Sequence, residues 1–175
     1  CLTVFIDSGP LIKKMAFPRI TLPLILVGSA LVNNILLLGA ILLVFGLLGH
    51  NPEVSILWIP LLILLTLGLA IGLGLSLGIM NVFLRDIGQV APILLQFWFW
   101  LTPIVYTIQM LPESYRQLFL LNPMSGIIMG YQNILVYGKS PDPMLLIYPL
   151  GLMIAALALA LFLYRRAGEE MADVL

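Results

Sequence analysis

Four long stretches of this chain contain no charged residue, and they constrain its fold more than any other feature. They are residues 20–49, 54–84, 87–108 and 144–164. A helix needs about 20 apolar residues to cross a bilayer, and each stretch is long enough. Only 9% of the 175 residues are charged, whereas a soluble domain has about a quarter. The sequence therefore predicts an all-α polytopic membrane protein with four full transmembrane helices, surrounded by membrane lipid.

A further uncharged stretch, residues 117–138, is predicted not to span. Asn122-Pro123 interrupts it, because Asn is a favourable helix N-cap and Pro is favoured in the first helical turn. Pro112 marks a second helix start by the same criterion. The pattern predicts two short helices, about Pro112–Leu121 and Pro123–Val136, each too short to cross. We expect residues 112–136 to form a re-entrant pair.

A short amphipathic helix is predicted over residues 10–17. Leu11, Ile12 and Met15 can share one face, with Lys13 and Lys14 off that face. Such a helix lies at a membrane surface or against a partner.

The first six residues are apolar and follow no basic leader, so a signal peptide is not predicted. Residue 1 is Cys rather than Met. Residues 1–6 are therefore interpreted as the end of a preceding span in a truncated sequence.

The distribution of basic residues predicts the orientation. With four spans and a re-entrant pair, six basic residues lie on one side: Lys13, Lys14, Arg19, Arg85, Arg165 and Arg166. Arg116 and Lys139 lie on the other. A span at residues 117–138 would change the division to five and three. Basic residues concentrate on the cytoplasmic side, so the sequence favours the re-entrant layout. It predicts a cytoplasmic hinge at Arg85-Asp86 and a cytoplasmic C-terminus.

Small residues inside the second span predict close helix packing. They are Gly68, Gly72, Gly74 and Gly78, and such spacing lets membrane helices approach each other. Asn33 and Asn34 lie in the middle of the first span. Polar side chains at that depth face protein or a cavity, and hydrogen bonding to another helix is favoured over substrate contact.

The residues needed for catalysis or metal binding are few. The chain has one cysteine, Cys1, and one histidine, His50, too few for a transition-metal site. No phosphate-binding GxxxxGK loop occurs, and no carboxylate lies within a span to relay protons. The net charge is zero, which gives no indication of a nucleic acid partner. We predict that the protein has no cofactor and no catalytic residue and is not an enzyme. If it transports a substrate uphill, the energy must come from another chain.

The third span carries an unusual aromatic cluster, Phe97-Trp98-Phe99-Trp100, followed by Tyr106. Pro92 and Pro103 are expected to bend this helix, and Gln89 and Gln96 give it polar edges. The aromatics are typical of an interface belt or core packing. They would also suit a conduit, where aromatic rings stack on the apolar faces of sugars. The residues alone favour the belt.

Together, several local patterns resemble the membrane subunits of ABC-2 type exporters for polysaccharides or polyol phosphates, such as O-antigen, capsule or teichoic acid. The patterns are LIKKMAFPRITLP at Leu11–Pro23, LRDIGQVAPILLQFWFWLTPIVY at Leu84–Tyr106, LNPMSGII at Leu121–Ile128, and a basic exit after the last span. Family members are longer and have two earlier spans. The resemblance implies that the spans here are the third to the sixth.

The resemblance also implies partners and site residues. Such permeases pair two membrane subunits, here a homodimer, with two ABC ATPase subunits, and the conduit lies at the dimer interface. The candidate conduit residues are Phe97, Trp98, Trp100 and Tyr106. The candidate outer gate is Asn122, Pro123 and Met124. The candidate ATPase-coupling residues are Leu11, Ile12, Lys13, Phe17 and Arg19.

The predicted function is therefore glycan export across the bacterial inner membrane by a permease subunit that lacks its own nucleotide site. One alternative is an ABC-2 permease for drugs or lipids. A membrane scaffold or a glycan-lipid transferase is an alternative of another class. The absence of acid clusters in the spans and loops speaks against the transferase.

Overall fold

The computed structural model of the protein describes residues 21–47, 54–104, 106–110 and 112–167. Within these ranges the chain forms six α-helices, two short 3₁₀-helices and no strand. The α-helices are α1 (Thr21–Leu47), α2 (Ile59–Phe83), α3 (Ile87–Leu101), α4 (Glu113–Leu120), α5 (Pro123–Leu135) and α6 (Pro143–Ala167). The 3₁₀-helices are Val54–Trp58 and Ile108–Met110. The all-α prediction is confirmed for this part of the chain.

Three helices are long and apolar enough to cross a membrane among the described residues. They cover Val27–Leu47, Ser55–Phe83 and Pro143–Arg166. The third predicted span differs, because α3 has only 15 residues. At a rise of 1.5 Å per residue its length is about 22 Å, less than the roughly 30 Å of a hydrocarbon core. The four full helices expected from the sequence are therefore not all present as continuous helices.

The predicted helix over residues 87–108 is wrong at its C-terminal end, which lies at Leu101. Thr102 precedes Pro103 and is extended, with φ −96° and ψ 130°. Contact with the proline ring disfavours helical geometry in the preceding residue, and proline has no N–H to continue the hydrogen-bond ladder. Pro103 thus ends the helix, whereas Pro92 is tolerated inside it.

The core of the bundle is a parallel pair, α2 and α6, held together by small residues. A Cβ added at Gly72 would lie 2.8 Å from the Ala156 Cβ, and one added at Gly68 would overlap the Met153 thioether. At the far end of both helices, Leu163 and Tyr164 pack against the buried cluster of Ile79 and Val82. Residue numbers increase in the same direction along both helices, so α2 and α6 run parallel.

The helix α5 packs antiparallel to both members of this pair. Near its C-terminal end, a Cβ at Gly130 would lie 3.0 Å from a Leu62 methyl carbon. The Ser55 hydroxyl beside α2 donates to the Gly138 carbonyl at 3.2 Å. The side chains of Ile127 and Ile134 are fully buried in the core cluster. Ser55 lies near the C-terminal end of α5, and Asn122 precedes its first residue. Since α5 has 13 residues, Asn122 lies about 20 Å from the level of Ser55 along the bundle axis.

The two short helices predicted at Asn122-Pro123 are present as α4 and α5. Pro123 is the first residue of α5, and the Asn122 side chain accepts from the Met124 N–H, as expected for an N-cap. Whether the pair is re-entrant in a membrane stays a prediction.

The first helix, α1, contacts the rest of the bundle through only a few of its described side chains. Leu38 and Leu42 pack against the core cluster of α2, and most other side chains of α1 are exposed. Asn33 is among the exposed residues, so its predicted hydrogen bond to another helix has no support in the described ranges.

Candidate functional site

The aromatic residues of α3 point in opposite directions. At 100° per residue, Trp98 lies on the same side as Ala91, the single buried residue of this helix. Phe97 and Trp100 lie on other sides and are 64% and 67% exposed. Phe99 and Trp100 meet edge to face, with ring centroids 6.0 Å apart. The structure therefore divides the predicted conduit residues into two groups, with Trp98 turned toward the bundle.

Asn122 connects the end of α3 to the start of α5. Its Oδ1 accepts from the Trp98 indole N–H at 2.6 Å and from the Met124 backbone N–H at 3.0 Å. Its Nδ2 donates to the Thr102 hydroxyl at 2.9 Å, and that hydroxyl donates to the Trp98 carbonyl at 2.8 Å. We call Trp98, Thr102 and Asn122 the polar clasp. It joins one candidate conduit residue to one candidate gate residue.

Three other side chains satisfy backbone carbonyls around this break in the helices. Gln132 donates to the Pro103 carbonyl at 3.0 Å, Tyr148 to the Leu121 carbonyl at 2.8 Å, and Tyr106 to the Trp100 carbonyl at 3.0 Å. Non-helical backbone at membrane depth is tolerated only where such groups are satisfied by protein or water. These side chains therefore allow the chain to leave helical geometry inside the bundle.

The remaining candidate gate residues pack rather than bond through their side chains. Pro123 is buried, and Met124 is half-buried against the core cluster. Tyr106 is half-buried and meets Phe119 edge to face, with ring centroids 6.0 Å apart. Together with the polar clasp, these contacts give the junction of α3, α4 and α5 a single packed arrangement.

The predicted hinge at Arg85-Asp86 is exposed. The Asn81 side chain, near the end of α2, stabilises the turn by a hydrogen bond to the start of α3. The Asn81 side chain is 2% exposed, and its Oδ1 accepts from the Gly88 N–H at 2.7 Å. A Cβ at Gly88 would lie 2.9 Å from that oxygen, so glycine permits the close approach. The same N–H also donates to the Arg85 carbonyl at 3.2 Å, so two acceptors share this donor in the first turn of α3.

Basic residues of two helices gather at one end of the bundle. Packing of Tyr164 against the cluster of Ile79 and Val82 brings the C-terminal ends of α2 and α6 together. Arg85 follows α2, while Arg165 and Arg166 lie in the last turn of α6, where cations favour the negative end of the helix dipole. All three arginines are exposed.

Several predicted residues are not brought together. The candidate coupling residues lie outside the described ranges; they are Leu11, Ile12, Lys13, Phe17 and Arg19. Gly68 and Gly72 face α6, as described above. Gly78 is buried and Gly74 half-buried in α2. No cluster of metal-ligating side chains occurs among the residues that the structure describes.

Sequence inspection missed Gln132, Tyr148, Thr102 and Asn81. Each is a polar side chain in an otherwise apolar segment, and that is the signal that could have identified them. Polar groups within a span have partners in the protein or a cavity. Their partners lie up to 29 residues away along the chain, so the sequence does not indicate which groups they bond.

Comparisons with known proteins show the family to which the chain belongs. The model of the ABC-2 type transporter family matches residues 1–136. An O-antigen export system permease protein RfbA from Myxococcus xanthus is 31% identical over 171 residues, covering 95% of this chain and 65% of that protein. Two proteins of the same name from Klebsiella pneumoniae are 25% and 27% identical over 90% of this chain and 62% of their own lengths.

The chain thus spans a little under two thirds of the length of the curated relatives that it matches. The match to the family model covers well over half of the chain, and three apolar helices are long enough to span a membrane. The chain is a multi-pass membrane protein that belongs to the ABC-2 type transporter family.

Proposed function

We propose that the chain forms part of the membrane-spanning region of a permease subunit in an ATP-driven exporter of the bacterial inner membrane. The proposed cargo is a polysaccharide or a lipid-linked glycan. The observation that carries the proposal is 31% identity to an O-antigen export permease over 95% of this chain. The family consists of membrane transport subunits. ATP binding and hydrolysis are assigned to a separate ABC ATPase.

The parallel packing of α2 and α6 supports the proposed membrane layout. Two parallel membrane helices must be separated by an odd number of other crossings. One crossing by α3 and the residues after it, followed by the re-entrant pair α4–α5, meets this condition. A further crossing by residues 117–138 would make α6 antiparallel to α2. The layout has four crossings, and it puts Arg85, Arg165 and Arg166 together in the cytoplasm.

In this layout the aromatic end of α3 lies inside the membrane. The helix rises about 22 Å from the cytoplasmic hinge, so Trp98 and Thr102 reach the outer half of a core roughly 30 Å thick. An interface belt at the cytoplasmic side is incompatible with this depth. We assign the exposed Phe97 and Trp100 to the conduit wall. Trp98 and Tyr106 stabilise the end of α3 that lies farther from the cytoplasm. Asn122, Pro123 and Met124 form the proposed outer gate.

The proposed mechanism transmits ATP turnover from the partner through the amphipathic helix predicted at residues 10–17. The coupling residues are Leu11, Ile12, Lys13, Phe17 and Arg19. Two copies of the permease would form the conduit between them. In the layout described above, the helix and the Arg85-Asp86 hinge share the cytoplasmic side, where the ATPase must act.

The coupling assignment predicts that Phe17→Asp prevents co-purification of the ATPase with the permease. An aspartate at an apolar contact loses hydrophobic burial and leaves a carboxylate without a partner, which weakens the complex. Pull-down of the ATPase from solubilised membranes measures the effect. Phe17→Leu is the matched control and should retain the ATPase. Equal recovery of the ATPase with Phe17→Asp and the unmodified protein would refute the assignment.

A further inference from the structure

The side of α3 that faces away from the bundle carries its two glutamines. At 100° per residue, Gln89, Gln96 and Trp100 fall within about 40° of one another. Trp98, which is bonded to Asn122, lies on the opposite side. Both glutamines are exposed, and Trp100 is 67% exposed. The outward face of this helix is thus more polar than the rest of its surface.

The position of these amides is unfavourable in a lipid environment. Each glutamine side chain offers two N–H donors and a carbonyl acceptor. Neither amide has a hydrogen-bond partner in the described ranges, whereas Gln132, Asn81 and Asn122 all do. An amide placed in hydrocarbon without a partner loses several kcal/mol of hydration. Gln89 lies within one turn of the exposed hinge and can reach interfacial water. Gln96 lies about 15 Å along the helix from Asp86, so the outward face at Gln96 must meet water, a hydroxylated ligand or another chain.

The size of the side chains favours an open groove over a packed helix interface. Membrane helices that approach closely use small residues, as Gly72 and Ala156 do between α2 and α6. The outward face of α3 instead presents Gln89, Ile93, Gln96 and Trp100, all with long or bulky side chains. Two such faces brought together would leave space between their backbones.

We propose that Gln89, Gln96 and Trp100 form a polar track that contacts the transported glycan in a water-filled conduit. The track rests on the proposed function. Its amides bond sugar hydroxyls in many orientations because each is both donor and acceptor, and the Trp100 indole stacks on the apolar face of a sugar ring. Gln89 and Gln96 lie about 10 Å apart along the axis, so successive sugars can move from one amide to the next. The track carries no charge, which suits a neutral polymer that slides.

Accessibility of single cysteines tests whether this face is wet. Single cysteines replace Gln89, Gln96 or Leu94 in an intact protein from which the native cysteines have been removed. Leu94 is the control, because it lies near the depth of Gln96 on another side of α3. Native membranes are treated with a charged, membrane-impermeant methanethiosulfonate. The thiolate is the reacting form, and each unit by which a lipid environment raises a thiol pKa lowers its rate about tenfold. We expect positions 89 and 96 to react at least about tenfold faster than position 94.

Two results would overturn the track. Equally slow labelling at positions 94 and 96 would place the glutamines in lipid. Slow labelling at position 96 together with a disulfide between two copies, formed on mild oxidation, would make this face a packed dimer contact.

Export by Gln96→Leu tests the contact with glycan. Loss of a hydrogen bond to each passing sugar is expected to slow export by about two- to tenfold, with normal amounts of protein in the membrane. Leu94→Met is the control and should export normally. Fast labelling at position 96 with unchanged export by Gln96→Leu would overturn the glycan contact alone. If the unmodified protein moves no glycan, the proposed function fails, and the assignment of the track to glycan fails with it.

Discussion

Replacing Gly72 by leucine is expected to prevent α2 from packing on α6 and to leave little folded protein. A Cβ at this position would lie 2.8 Å from the Ala156 Cβ and 2.8 Å from the Leu157 backbone nitrogen. Backbone atoms cannot rotate away, so the two helices must separate. Overpacking of a core costs about 1–3 kcal/mol when side chains can adjust. A larger loss is expected here, against a total stability of about 5–15 kcal/mol.

Neighbouring glycines provide graded comparisons for Gly72. At Gly68 the nearest atoms belong to the flexible Met153 side chain, so Gly68→Ala should be tolerated better than Gly72→Ala. Gly151 in α6 has no atom within 4 Å of an added Cβ, so Gly151→Leu is the control.

Thermal unfolding in detergent, followed by the fraction of protein that stays monodisperse after heating, ranks these variants. Equal midpoints for Gly72→Leu and Gly151→Leu would contradict the close packing of α2 and α6.

Replacing Asn122 by leucine is expected to destabilise the junction between α3 and α5 by about 3 kcal/mol. Loss of the N-cap costs about 1 kcal/mol. The Trp98 indole N–H then has no acceptor in the polar clasp, and an unsatisfied buried donor costs about 1–3 kcal/mol. Trp98 and Asn122 are only half-buried. The loss is therefore expected to be smaller than the sum of the largest costs of a lost cap and an unsatisfied donor.

Two further variants separate the cap from the clasp. Serine caps a helix as well as asparagine but is too short to reach the Trp98 indole, so Asn122→Ser should give an intermediate loss. Trp98→Phe removes the indole N–H donor and part of the ring, and it keeps an aromatic side chain at this position. In the double variant Trp98→Phe/Asn122→Leu, the losses should not add, because both changes remove the same hydrogen bond.

Thermal unfolding again measures these effects. Asn33→Leu, on the exposed surface of α1, is the control and should change stability little. Strict additivity of Trp98→Phe and Asn122→Leu would contradict a direct bond between the two side chains.

The local features of the fold could be predicted from the sequence. Runs of uncharged residues located the long helices, and Asn122-Pro123 located the start of α5, because both signals depend on the chain's own geometry. The end of α3 was predicted too late. Pro103 ends the helix instead of bending it, because its ring disfavours helical geometry at Thr102.

The arrangement of the candidate site could not be predicted in the same way. The bonds of Asn122 with Trp98 and Thr102 join residues 24 and 20 positions apart, and that of Gln132 with Pro103 joins residues 29 apart. Such pairs depend on how α3 and α5 pack. The family resemblance implied that Phe97, Trp98, Trp100 and Tyr106 lie in the span that lines the conduit, and the sequence did not indicate which of them face it. In the structure, Trp98 faces the bundle, whereas Phe97 and Trp100 are exposed. Which side of α3 faces the bundle depends on its packing against the rest of the protein, and the sequence of α3 does not indicate this packing.

The surface glycan of cells that lack this protein shows directly whether the protein exports glycan. Surface polysaccharide and its lipid-linked precursor are measured in the deletion strain and in the strain complemented with the intact protein, alongside sensitivity to a panel of drugs. We predict loss of surface glycan, accumulation of the precursor inside the cell, restoration by the complementing gene and unchanged drug sensitivity. Normal surface glycan together with increased drug sensitivity would contradict glycan export and favour a drug permease.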